Sequence, residues 1–172
     1  NHIGNNKAEN LAQECKKINP KISIISKNKN FDKTININNF DLIFDCSDNP
    51  ETKYTLNYLS HKSKKILISG SAVQMEGQLA IWKSGLNKDY PCYECIFPKT
   101  NEKSNITNCR DAGIIGSVTG LIGSMQVSEA IKEIALKDYQ STAGNLFLYD
   151  GVTLNLDKIK LVKNYHCPTC SN

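Results

Sequence analysis

Two cysteine pairs carry the clearest chemistry in this sequence, Cys92-Tyr-Glu-Cys95 and Cys167-Pro-Thr-Cys170. A CxxC spacing lets two thiolates of one short turn reach one ion, and two such turns complete a tetrahedral four-cysteine zinc site. The total of seven cysteines is odd, which argues against a disulfide framework. The long gap between the pairs makes the expected site a staple joining distant segments. A second cluster is Ser47-Asp48-Asn49-Pro50. It suits the start of a helix, with Asp48 or Asn49 as cap and Pro50 in the first turn. Cys109 follows a polar stretch and is flanked by Arg110, the only arginine of the chain. A free cysteine is commonly a small core residue, but the place of Cys109 at the end of a polar loop favours function. Cys15 and Cys46 read as core.

These residues need a scaffold. Ala8, Leu11, Ala12 and Cys15 recur at helical spacing, so a helix is expected over 6–17, ended by Pro20. Ile22, Ile24 and Ile25 suggest a strand over 21–26. Residues 41–46 and 65–70 are short apolar runs on either side of a helix over 51–62, a βαβ unit that requires a parallel sheet. Ligands of such sheets sit at the carboxyl ends of the strands. Those ends carry Ser47-Asp48-Asn49 and Gly70-Ser71-Ala72. An antiparallel strand is expected over 74–83, then a long crossover over 97–108. A helix over 114–136 carries Gly116, Gly120 and Gly123, whose spacing would let it approach a sheet closely. Two last strands cover 146–150 and 155–162.

The composition sets limits. The 172 residues are 40% hydrophobic and 22% charged, which fits one folded domain over 1–172 and excludes wholesale disorder. No apolar run reaches the ~18–20 residues of a membrane helix, and the first ten residues are polar, so neither a membrane partner nor a leader segment is expected and the cytoplasm is the expected compartment. The net charge of +4 and the lone arginine weigh against nucleic acid as a partner, and so against a zinc-ribbon nucleic-acid module.

Seven segments together resemble the ThiF/MoeB family, the ubiquitin-activating-enzyme-like adenylyltransferases of sulfur carrier proteins. They are GNNKAENLAQECKKINP, DLIFDCSDNPETKYTLN, MEGQLAIW, PCYECIFP, NCRDAGIIGSVTGLIGSMQVSEAIKEI, LFLYDG and CPTC, in the family's order from Gly4 to Cys170. The resemblance implies an α/β fold: a Rossmann-like, mostly parallel sheet with helices on both faces, extended by antiparallel strands and a four-cysteine zinc staple. It implies ATP-dependent adenylylation of the C-terminal glycine of a ubiquitin-fold carrier ending in Gly-Gly, by a homodimer. Lys7 matches the lysine that contacts ATP phosphate, Asp48 the ligand of Mg2+, and Asn49 its neighbour at the nucleotide. Cys109 matches a cysteine of sulfur transfer, with Arg110 beside it to lower the thiol pKa and bind an oxyanion.

The family's glycine-rich ATP loop precedes the position of Lys7, so this chain is expected to be the carboxyl-terminal portion of a longer nucleotide-binding fold. The alternative is a non-catalytic carrier-binding chain whose partner supplies the ATP site. Met75-Glu76-Gly77-Gln78 resembles the molybdopterin and tRNA-thiolation branches, whereas Asn108-Cys109-Arg110 and Asp150-Gly151 lean toward the thiamin branch, so the carrier stays open.

Overall fold

The computed structural model describes residues 4–99, 113–136 and 140–171. The chain divides into two compact units, Asn1–Asp32 and Lys33–Asn172. In the first unit, helix α1 spans Lys7–Ile18. Asn6 caps it, its side chain accepting a hydrogen bond from Glu9 N at 3.0 Å. Lys16 and Lys17 lie in the last turn, where cations suit the helix dipole. None of its residues is buried, and Leu11 is exposed, so the apolar stripe that marks the helix does not make it a core helix. The strand expected over 21–26 is not formed. A strand needs a ladder, and no described strand pairs with this segment.

The second unit holds one sheet of five strands in the order β1-β2-β3-β4-β5. β1 is Leu42–Asp45, β2 Ile66–Val73, β3 Glu76–Trp82, β4 Asn145–Asp150 and β5 Asn155–Lys160. Helix α2, Pro50–Lys62, connects β1 to β2, and these two strands are parallel with Leu42 opposite Ile66. The three other pairings are antiparallel. The sheet is therefore mixed, and the expectation of a mostly parallel sheet is corrected. The cause lies partly in the links: only Gln74 and Met75 separate β2 from β3, and a turn that short can only reverse the chain.

Helices cover both faces of the sheet. Helix α3, Tyr93–Ile96, packs with α2 on one face, and α4, Gly116–Ala135, on the other. The α4 face centres on Ile68, Leu79, Ile81, Ala130 and Ala143. Close approach there comes from the sheet and not from the helix. A Cβ on Gly70 would lie 2.5 Å from the Gln126 side chain, and one on Gly77 would lie 2.6 Å from Ile122. A Cβ on Gly116, Gly120 or Gly123 of α4 would meet no described atom within 4 Å beyond the backbone of its own helix, contrary to the role expected of these glycines. No described helix is long and apolar enough to cross a membrane.

Candidate functional site

The carboxyl ends of β1 and β2 meet where the parallel pair gives way to the antiparallel strands. Asn49 caps α2, with its side-chain oxygen accepting from Glu51 N at 2.8 Å and from Thr52 N at 3.4 Å. The capping reading thus holds for Asn49. It does not occupy Asp48, which is exposed at the rim.

Two clefts share this rim. One, of about 380 Å³, lies toward α4 and is lined by Cys46, Ser47, Asp48, Gly70, Ser71, Thr119 and Gln126 among others. The other, of about 230 Å³, lies toward α2 and α3 and is lined by Ser47, Asp48, Lys53, Ser71, Glu76, Gln78 and Tyr93 among others. Asp48, Ser47, Ser71 and Ala72 border both. The loop after β1 and the carboxyl end of β2 therefore form the ridge between the clefts, and Asp48 sits on it.

A buried carboxylate fixes that ridge. Asp45, the last residue of β1, is 1% exposed. It accepts from Ser47 N at 2.9 Å, Ser47 Oγ at 2.6 Å, Ser69 Oγ at 2.6 Å and Lys53 Nζ at 2.9 Å. Burial raises its pKa, but the Lys53 charge and the hydrogen bonds from Ser47 and Ser69 outweigh burial and hold it below the ordinary carboxylate value. The two bonds to Ser47 set the backbone one residue before Asp48. From the other face, Gln126 donates to the carbonyls of Asp45 at 3.1 Å and Ile68 at 3.2 Å, tying α4 to both parallel strands.

Asp45, Lys53 and Gln126 do not stand out in the sequence. The signal available is weak: an acid closing an apolar run, a lysine one helical turn beyond Asn49, and a glutamine inside an otherwise apolar helix.

Cys46 is a correction. It lies one residue past the end of β1, and at a strand's carboxyl end a side chain can face the cleft instead of the core. It is exposed there, with its thiol directed to Gln126 Oε1 at 3.6 Å. Packed protein around the thiol and the neighbouring Asp45 charge push its pKa up, against the Gln126 hydrogen bond.

Cys15 is half-buried. Lys7 is exposed, and within its own unit it lines an open concavity with Lys27 and Lys29. Cys109 and Arg110 lie outside the described residues.

The four paired cysteines converge. Cys92 is the N-cap of α3 and Cys95 lies within it, and Cys167 and Cys170 lie in a turn after β5. Their sulfurs all lie within 4.8 Å of one another. Separations are 3.9 Å for Cys92–Cys95, 3.5 Å for Cys92–Cys167 and 3.4 Å for Cys95–Cys170. A Zn–S bond of about 2.3 Å in a tetrahedron sets sulfurs about 3.8 Å apart, so the cage fits zinc closely. A disulfide would need about 2.05 Å. Cys92, Cys167 and Cys170 are buried. Burial drives the Cys92 thiol far up and the Cys170 thiol up to about 12, whereas at Cys95 hydrogen bonds outweigh burial and hold the thiol below its ordinary value.

Asn57 of α2 orients the cage. Its Nδ2 donates to Cys92 Sγ at 3.5 Å, and its Oδ1 accepts from Tyr93 N at 2.9 Å. Thr169 Oγ1 donates to Glu94 and links the two turns. Such outer contacts fix metal ligands in place.

Comparison with known proteins gives a consistent result. The chain is 35% identical over 174 residues to the adenylyltransferase and sulfurtransferase MOCS3 of Caenorhabditis briggsae, covering 99% of this chain and 42% of that protein. It is 42% identical over 134 residues to MOCS3 of Drosophila persimilis, covering 77% of this chain and 29% of the relative. The chain thus spans less than half the length of these relatives. Among solved structures, Escherichia coli MccB with AMPCPP and MccA superposes with a TM-score of 0.78 at 20% identity, over 98% of this chain and 52% of that one. MccB with ATP gives 0.74 at 21% identity, over 97% and 52%. At those identities the likeness is one of fold. The ThiF family profile matches residues 1–171 from end to end, and the chain belongs to the ThiF family.

Proposed function

We infer that this chain is part of an ATP-dependent adenylyltransferase that activates the C-terminal carboxylate of a ubiquitin-fold sulfur carrier. The observation that carries this reading is the exposed Asp48 carboxylate on the ridge between two clefts at the carboxyl ends of β1 and β2. Open α/β sheets bind nucleotides at such a place. Membership of the ThiF family and similarity to MOCS3 support the same reading.

In this proposal the carrier's terminal carboxylate attacks the α-phosphorus of ATP. A C–O–P bond forms, the bond from the α-phosphorus to the bridging oxygen breaks, and pyrophosphate leaves with the electron pair. Negative charge builds on the phosphate oxygens, and catalysis consists of positioning and charge stabilisation. Asp48 would hold Mg2+, a role suited to an exposed carboxylate at the rim of both clefts. Asn49 would contact the nucleotide with its amide nitrogen, since its oxygen is engaged at the helix cap. Lys7 would meet phosphate. Asp45 and Lys53 hold the ridge in place.

Cys109 would take part in sulfur transfer, with Arg110 favouring its thiolate. Zinc at Cys92, Cys95, Cys167 and Cys170 would be structural, with all four positions filled by protein and none left for substrate. The remaining organisation proposed is a single domain over 1–172 that works as a cytoplasmic homodimer.

The test is ATP–pyrophosphate exchange by the longer protein, assayed with ubiquitin-fold carriers of the molybdopterin, thiamin and tRNA-thiolation classes. One carrier should stimulate exchange, and removing its terminal glycine should abolish the stimulation. Carrier binding without exchange would favour a scaffold in place of an enzyme.

A further inference from the structure

Trp82, the last residue of β3, is 2% exposed, and its indole Nε1 has no hydrogen-bond partner among the described residues. Buried indole N–H groups are ordinarily satisfied. Trp82 lines a chamber of about 50 Å³ on the α2/α3 face of the sheet. The polar groups lining that chamber with it are Lys53, Ser69, Ser71, Gln78 and Tyr93. Lys53, Ser71, Gln78 and Tyr93 also line the 230 Å³ cleft, so the chamber is the inner end of the cleft that Asp48 borders.

We propose that this chamber is a binding site for one small hydrogen-bond acceptor, held by the Trp82 indole N–H at the base of the Asp48 cleft. Size limits the ligand. One water occupies about 30 Å³, so about one water or an anion of one to three heavy atoms fits. Chemistry limits it further. The indole only donates, as does the Lys53 ammonium, and the chamber is lined by no carboxylate among the described residues. Ser71, Gln78 and Tyr93 can donate or accept, which gives a bound water the further partners it needs. Water and a small anion such as chloride or formate share the required chemistry.

The aromatic cage around the chamber is tightly built. Tyr93 packs edge-on against Tyr54 at 5.4 Å and against Trp82 at 5.9 Å, and it lies 4.8 Å from Phe97. Burial, with the neighbouring Tyr54 and Asp45, pushes the Tyr93 hydroxyl up to about 12, so it stays a neutral donor and acceptor at working pH. The bound acceptor would join Trp82 of the sheet to the polar groups beneath the ridge, independently of whether ATP is the substrate.

Trp82 is the only tryptophan, so its indole gives a single resonance in a 1H–15N correlation spectrum of the zinc-loaded chain. The first arm is a rotating-frame hydration experiment, which should show a cross-peak from that N–H to a long-lived water. The second arm titrates chloride or formate against perchlorate at constant ionic strength. A saturable shift of the indole resonance with the small anions identifies an anion as the occupant. Tyr93→Phe keeps the ring packing and the reporter, and should weaken whichever signal is seen several-fold. A crystal structure should place the acceptor about 2.7–3.2 Å from Nε1. Absence of both the hydration cross-peak and a saturable shift, with the chain shown folded by its dispersed spectrum, overturns the proposal.

Discussion

At the scale of single residues, the ridge that presents Asp48 depends on the Asp45–Lys53 pair. Both side chains are largely withdrawn from water, at 1% and 11% exposure, so removing one partner leaves a charge with no compensation. Asp45→Asn should cost about 3–5 kcal/mol, the usual penalty for breaking a buried pair. The double variant Asp45→Asn with Lys53→Met should recover part of that loss. The pH dependence has a defined sign. The folded-state pKa of Asp45 is depressed, so its stabilisation is present above the ordinary carboxylate pKa and is lost as pH falls through the lower folded value. Melting temperature measured from neutral pH downward should fall below about pH 4 in the parent, and the decline should be shallower in Asp45→Asn. Equal acid sensitivity of the two proteins would show that Asp45 does not hold the ridge.

At the scale of elements, glycines separate two kinds of constraint. Gly85 follows β3, and a Cβ there would lie 2.2 Å from the His61 carbonyl oxygen, a backbone atom of α2 that cannot step aside. Gly85→Ala should destabilise the chain by about 1–3 kcal/mol. Gly120 lies inside α4, and a Cβ there would meet no described atom within 4 Å beyond the backbone of its own helix, so Gly120→Ala should stabilise the chain through helix propensity alone, by about 1 kcal/mol. Chemical denaturation of both variants checks the opposite signs. This contrast also shows what the sequence could carry at this scale. Glycines at helical spacing suggest close packing by α4, but which glycine meets a neighbour depends on the facing strand, and Gly70 and Gly77 hold that role. The βαβ unit is legible because an apolar run, a cap and a second apolar run are local signals. The segment over 21–26 misleads because β propensity without a neighbouring strand does not make a ladder. Cys46 misleads because an apolar run does not show where its strand ends.

At the scale of the whole molecule, the cysteine cage ties the start of α3 to the turn after β5, with Cys92 and Cys167 75 positions apart in sequence. Spacing alone reveals it, because four cysteines in two CxxC pairs have few other uses. The Asn57 and Thr169 contacts around it are not legible, since an asparagine in a helix signals nothing about a sulfur 35 positions away. Metal analysis should give one zinc per chain, and Cys92→Ser should lower both the zinc content and the melting temperature. A folded, zinc-free chain of parent stability would contradict the staple.

Asp48 is proposed from family resemblance, whereas the buried Asp45 beneath it emerges only with the fold. That arrangement makes Asp48 the residue whose removal should end the chemistry and spare the structure. The decisive experiment is carrier-dependent ATP–pyrophosphate exchange by the longer protein carrying Asp48→Ala, with its melting temperature recorded beside it. Exchange should fall by at least about a hundredfold, the scale of losing one charge-stabilising group at a transferring phosphoryl centre, with the melting temperature unchanged. Exchange near the parent rate would show that Asp48 only decorates the start of a helix and that the nucleotide binds elsewhere.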